Sequence, residues 1–311
     1  MAVERSAPLE IALFSLALAT SACGAARAKT GEESAPKDSG ALHEASRRRV
    51  ATSTGVSTRP EADATSSDPS PDPPPDPPQR VAPSERADQL GLLPVEGFEA
   101  AALAAPREGL REPRPVVVVA HGAGGTPEWH CASWQALLRS TAFIVCPRGR
   151  SMARRGEYAA YYFPDHLWLE REVMAVVAAV ERELGARADT RRMLYAGYSQ
   201  GATMGALMIV AHAARFPRLA LLEGGFSEWN VAIGKRFRQN GGERVLFACG
   251  TAHCATRARR SAEWLEQTGV AARVEHAEGA GHTSGGDVAK RVAASVDFLS
   301  GGDRGFDFTA P

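Results

Sequence analysis

Residues 192–213 read RMLYAGYSQGATMGALMIVAHA. Arg192–Ala196 is predicted as a buried strand and Ala202–Ala213 as a small, apolar helix. Between them Gly197-Tyr198-Ser199-Gln200-Gly201 has the G-x-S-x-G form of a sharp strand-to-helix turn. Such a turn holds its central serine in a strained backbone conformation. Side chains at the two flanking positions would collide with the neighbouring strand and helix, which explains the glycines. The Ser199 hydroxyl then projects above the sheet edge at a helix N-terminus, where developing negative charge is favoured.

Outward from this turn, strands and helices alternate. Pro115–Ala120 (PVVVVA) is a continuous β-branched run, expected of a strand buried on both faces. Helical spacing follows over Glu128–Arg139, then a strand over Ala142–Cys146. Asp165 is expected to cap a helix through Leu184, with Leu167, Val173, Val176, Val177 and Val180 on its apolar side. Further strands are expected at Leu219–Leu222, Arg244–Ala248 and Ala272–His276, with an earlier one at Phe98–Leu103. Helices are expected at Ala255–Thr268 and Asp287–Leu299. This order predicts an α/β domain with a mainly parallel sheet and helices on both faces.

Two more motifs fall at predicted strand ends. His121-Gly122-Ala123-Gly124-Gly125 follows the valine strand directly. Its glycines let backbone N–H groups approach a ligand closely, as an oxyanion requires. Gly122 or Ala123 is expected to supply one donor and Gln200 the other, with His121 a structural part of the loop. Gly279-Ala280-Gly281-His282 follows the last predicted strand and makes His282 the candidate base. The bland alternatives are a tight Gly-Ser turn, a flexible loop and a surface histidine.

On HGAGG, GYSQG and GAGH, in that order, the region from Val95 to Ser300 resembles the α/β-hydrolase superfamily. It is most similar to esterases of the dienelactone-hydrolase, feruloyl-esterase and polyhydroxybutyrate-depolymerase type. The resemblance implies acyl hydrolysis through a serine ester intermediate, with no cofactor; no C-x-x-C pair is present, so no metal is expected either. The resemblance also implies an acid between Ser199 and His282. Such esterases usually carry an Asp in a stretch like G-T-x-D, but here Gly250-Thr251-Ala252 is followed by His253, and no Asp lies between Ser199 and His282. Seven glutamates do: Glu223, Glu228, Glu243, Glu263, Glu266, Glu275 and Glu278. Of these, Glu223 directly follows a core strand at the carboxyl edge and is the expected acid. Asp287, out of chain order, is the fallback, and a Ser-His dyad is the remaining alternative.

The N-terminal part has another character. Leu9–Ala19 is apolar apart from Glu10 and Ser15, which suits the core of a signal peptide over residues 1–22. Thr20-Ser21-Ala22-Cys23 resembles a bacterial lipoprotein signal, implying a lipid on Cys23 and a membrane anchor; ordinary secretion is the alternative. Eleven of the 20 prolines, and none of the 21 aromatic residues, fall in 24–94. Residues 23–94 are therefore expected to be a disordered linker, extended where Pro69–Pro78 reads PSPDPPPDPP, and 95–311 the catalytic domain. Arg47–Arg49 is read as a solvated basic spot.

With 36 basic and 36 acidic residues the net charge is zero, which argues against nucleic-acid binding. Beyond Cys23, four cysteines allow three pairings. Cys131–Cys146 and Cys249–Cys254 is the simplest, the short second loop being one that a disulfide would shape; free thiols are the alternative. The expected function is an exported, membrane-anchored serine hydrolase of carboxylic esters. The alternatives are a catalytically weakened α/β-hydrolase serving as a surface binding protein, or a peptidase. Trp129, Tyr158, Tyr161, Tyr162, Phe163 and Trp168 are candidates either for a substrate pocket or for core packing.

Overall fold

The computed structural model describes residues 90–109, 111, 113–152, 159–303, 306 and 308. The signal segment 1–22, Cys23, the linker up to residue 89 and Tyr158 lie outside the described residues.

In chain order the elements are β1 (Gly91–Leu93), β2 (Ala101–Ala104), β3 (Arg114–Ala120), α1 (Pro127–Leu137), β4 (Phe143–Cys146), β5 (Arg150–Ser151) and β6 (Tyr161–Tyr162). Then come α2 (His166–Leu184), β7 (Ala188–Tyr198), α3 (Gln200–Met208), β8 (Arg218–Leu222), α4 (Val231–Gln239) and β9 (Arg244–Cys249). The chain closes with α5 (Ala252–Glu266), β10 (Ala271–His276), α6 (Gly286–Ala294) and α7 (Val296–Ser300). Eight strands form one sheet in the order β1-β2-β4-β3-β7-β8-β9-β10. Pairing is antiparallel at β1–β2 and β2–β4 and parallel from β4 onward.

The valine run explains the layering. Along β3 the side chains alternate between faces. Val116 and Val118 join the core beneath α2, α3 and α5. Val117 and Val119 join the opposite core, with Trp134 of α1 and with Val288 and Val292 of α6. All four valines are buried, each worth roughly 1.5–3 kcal/mol relative to exposure.

Some expectations need correction. The sheet begins at Gly91, four residues ahead of the expected domain boundary at Val95. A three-residue strand beside a proline-rich stretch has no period to read, and its pairing comes from β2, where Leu93 opposes Ala101. Asp165 does cap α2, its side chain accepting from the Trp168 N–H at 2.7 Å. Leu167, however, is exposed. It lies six residues before Val173, about 240° around the helix at 3.6 residues per turn. Leu169 takes the buried place instead. The helix expected over 202–213 starts earlier, at Gln200, and gives way at Ile209 to a 3-10 turn. The final helix is broken at Ser295 into α6 and α7.

Both expected disulfides are present. Cys131 of α1 joins Cys146 at the end of β4, with Cα atoms 5.9 Å apart, and Cys249 joins Cys254, with Cα atoms 5.5 Å apart. The first closes a loop spanning 15 positions, worth roughly 3 kcal/mol through restriction of the unfolded chain. The double variant Cys131→Ala/Cys146→Ala is expected to lose about that much unfolding free energy in a urea titration. A change below about 1 kcal/mol would mean the loop-entropy account does not apply to this pair. Among the described residues no helix is long and apolar enough to cross a membrane.

Candidate active site

Ser199 stands between β7 and α3 with φ 49° and ψ −111°, the left-handed region that non-glycine residues rarely occupy. Its neighbours show why the turn needs glycine. A Cβ on Gly197 would stand 2.7 Å from the Ala202 backbone, and one on Gly201 2.4 Å from the Ala120 carbonyl oxygen. The elbow is thus wedged against the end of β3. Its backbone is tied to the next strand as well, the Ser199 N–H donating to the Leu222 carbonyl at 2.9 Å.

Three side chains from distant positions meet at this edge. His282 Nε2 lies 2.9 Å from Ser199 Oγ, and His282 Nδ1 lies 2.9 Å from Glu223 Oε2. With the proton on Nδ1 donating to the carboxylate, Nε2 is free to accept from the serine hydroxyl. The His282 side chain is 55% exposed and that of Glu223 only 2%, so the imidazole is open to solvent while the carboxylate sits beneath it.

Glu223 is held unusually tightly for a strand-end residue. It too has a positive φ, 49°, which turns the chain straight out of β8. Its Oε1 accepts from the Gly250 N–H at 2.5 Å and the Thr251 N–H at 2.9 Å. Thr251 Oγ1 lies 3.1 Å from Oε2. These bonds compensate the burial of a charged group, which would otherwise be costly. The Gly250-Thr251 turn after β9, which resembles the G-T-x-D stretch but lacks its Asp, contributes backbone donors to the Glu223 carboxylate one strand away. His253, at the position usual for that Asp, is exposed and packs edge-on against Phe226.

Three of the other candidate carboxylates are engaged elsewhere. Asp287 pairs with Lys290 at 2.7 Å. Glu243 pairs with Arg192 and Arg218 at the amino edge of the sheet, and Glu275 accepts from Ser295 Oγ.

The glycine loop lies against the elbow: a Cβ on Gly122 would stand 3.1 Å from Ser199 Cβ. Within it the Gly124 N–H donates to the Tyr161 carbonyl and the Gly125 N–H to the Gly122 carbonyl, so those two amides are committed. Tyr161 belongs to the β5–β6 ribbon, which pins the loop through a second bond from its own N–H to the Gly125 carbonyl. Gln200 is the first residue of α3, and its side chain accepts from the Phe163 N–H at 2.9 Å.

His121 is fully buried, its ring nitrogens 2.8 Å from the Gly122 carbonyl and 2.9 Å from the Arg148 carbonyl. Burial holds its pKa below the ordinary value, opposed by the two carbonyl contacts, which favour the charged ring. Burial likewise pushes His130 down to about 3. The aromatic candidates divide. Phe163 is buried and stacks on His121 at 4.6 Å, and Trp168 packs edge-on against Phe98. Trp129 is exposed beside the site and borders a row of rings running through His130 and Tyr198 to His282. Tyr198 also escaped the sequence reading: its hydroxyl donates to the His282 carbonyl at 2.8 Å, tying the elbow to the histidine loop.

This arrangement of sheet, elbow and loops is the α/β-hydrolase fold. A Thermus thermophilus protein of known structure superposes with a TM-score of 0.51 at 18% identity, over 68% of this chain and 97% of its own. The S-formylglutathione hydrolase of Agrobacterium tumefaciens superposes at 0.52 and 13% identity, over 68% of this chain and 94% of its own. The likeness is one of fold. No family model matches the sequence, and no curated protein does.

Proposed function

We propose that the protein is a serine hydrolase of carboxylic esters. The observation that carries this reading is the unbroken hydrogen-bonded chain Ser199–His282–Glu223 at the carboxyl edge of the sheet. In this mechanism Ser199 Oγ attacks the ester carbonyl carbon while His282 Nε2 takes its proton. The tetrahedral oxyanion is held by the Gln200 N–H at the start of α3 and by the N–H of Ala123 or Gly122. His282 then gives the proton to the leaving alcohol, and water repeats the sequence on the acyl-serine. Glu223 keeps the imidazole in the required tautomer and stabilises its charged form.

The reading as a weakened hydrolase that only binds rested on the absence of an aspartate between Ser199 and His282. A buried, aligned carboxylate on Glu223 answers that need and favours turnover. Hydrolysis of p-nitrophenyl acetate and butyrate tests the proposal. A folded protein that turns over neither ester, and takes up no fluorophosphonate, would refute it.

Export is part of the same proposal. Two disulfides suit an oxidising compartment, and Cys23 stands where a lipoprotein carries its lipid. In a producing bacterium, globomycin is expected to make the full-length precursor accumulate. Normal maturation under the drug would leave simple secretion as the better account.

A further inference from the structure

The Cys249–Cys254 disulfide spans only five positions and lies beside the site. Cys249 is the last residue of β9, and Cys254 stands in the first turn of α5. Between them runs the Gly250-Thr251 turn. Both sulfurs and a Glu223 carboxylate oxygen lie within 4.8 Å of one another. With the sulfurs bonded to each other, this is a packing contact against the acid and not a metal site.

The enclosed turn touches both partners of the His–Glu pair. Its Gly250 and Thr251 N–H groups donate to Glu223 Oε1. Its Gly250 carbonyl accepts from the N–H of Gly281, the residue before His282, at 3.2 Å. Thr251 Oγ1 contacts the carboxylate and also accepts from the Cys254 N–H at 3.2 Å, which caps α5. One short segment therefore fixes the acid from one side and the base's loop from the other. Without a cross-link, a two-residue link between strand and helix could swing its N–H groups away from the carboxylate. Cys249 and Cys254 are both buried, so the cross-link belongs to the interior of the site.

We propose that the Cys249–Cys254 disulfide is a positioning element of the catalytic machinery: by locking the Gly250-Thr251 turn it holds Glu223 in register with His282. The inference rests on the esterase reading above, and its test separates the two. In the full chain, Cys249→Ala/Cys254→Ala is expected to lower kcat at least about tenfold, toward the roughly 10²-fold that a misplacement of about 1 Å costs. KM should stay nearly unchanged, because the substrate-facing surface is left intact. A low-field proton resonance of the His282 Nδ1–H is expected in the parent protein and should broaden or disappear in the variant. Cys131→Ala/Cys146→Ala is the comparison: it lowers Tm, yet its kcat below the melting range should change far less.

Should the Cys249→Ala/Cys254→Ala variant fail to fold, Thr251→Val, which removes the hydroxyl contact between the cross-linked turn and Glu223, is expected to lower kcat, with Thr251→Ser restoring it. Unchanged kcat and an unchanged proton resonance without the disulfide would overturn the proposal, as would equal losses from Thr251→Val and Thr251→Ser. If the parent protein turns over no ester, the esterase reading fails on its own, and the proton resonance alone decides whether the disulfide positions Glu223.

Discussion

Ser199→Ala is expected to abolish ester turnover while leaving the fold intact. Where a serine and its histidine act as one unit, loss of the nucleophile costs about 10⁶-fold in kcat. The expected remainder, about 10³–10⁴-fold over water, comes from the oxyanion donors and substrate binding alone. His282→Ala should cost about as much, and the double variant little more, because either change breaks the same chain of proton transfers. Stability should hardly move. The Ser199 hydroxyl reaches out to the partly exposed His282 ring, and the backbone strain at φ 49° suits alanine no better and no worse. The measurement is p-nitrophenyl butyrate hydrolysis together with thermal unfolding. A fluorophosphonate should add one phosphonyl group to the parent protein, at Ser199, and none to the variant. A variant that keeps more than about one-hundredth of the parent rate would remove Ser199 from the nucleophile's role.

How far the sequence could be read depended on the length scale of each signal. The valine run of β3, the apolar face of α2 and the elbow are local patterns, and they placed the central strands within a few residues. The ribbon of β5 and β6 offers two residues per strand, too few to show alternation, although it pins the glycine loop. Helix α4 went unread because Val231–Gln239 is largely solvated and carries Gly234 in its middle. Within the site, Ser199 and His282 sit in recognisable turns. Glu223 could be reached only by elimination among strand-end glutamates. Its cradle could not be reached at all, since its main donors are backbone N–H groups, whose aim leaves no mark in the residue types. Tyr198 was hidden for a related reason: its hydroxyl partner is the main-chain carbonyl of a residue 84 positions away.

The cradle gives Glu223→Gln a defined outcome. Glutamine matches glutamate in shape, so the side chain should remain in place and the protein should fold. Its amide, however, has one accepting end and one donating end. The inner end faces the Gly250 and Thr251 N–H groups, both donors, so the amide oxygen must lie there. That leaves the NH₂ group facing His282 Nδ1. The imidazole can then satisfy it only by accepting at Nδ1, which moves its own hydrogen to Nε2. A protonated Nε2 cannot take the proton from Ser199 Oγ. The substitution is therefore expected to trap the wrong tautomer and to lower kcat about 10⁴-fold, with KM little changed. Glu223→Asp tests reach instead of chemistry: it keeps the charge but falls one methylene short of His282, and should lose less activity than the glutamine variant. Nitrogen-15 NMR of the imidazole would show the tautomer directly, with the hydrogen on Nδ1 in the parent and on Nε2 in Glu223→Gln. Near-parental kcat in Glu223→Gln would mean that catalysis runs on Ser199 and His282 alone. In that case the contact between Glu223 and His282 merely fills space beneath the ring.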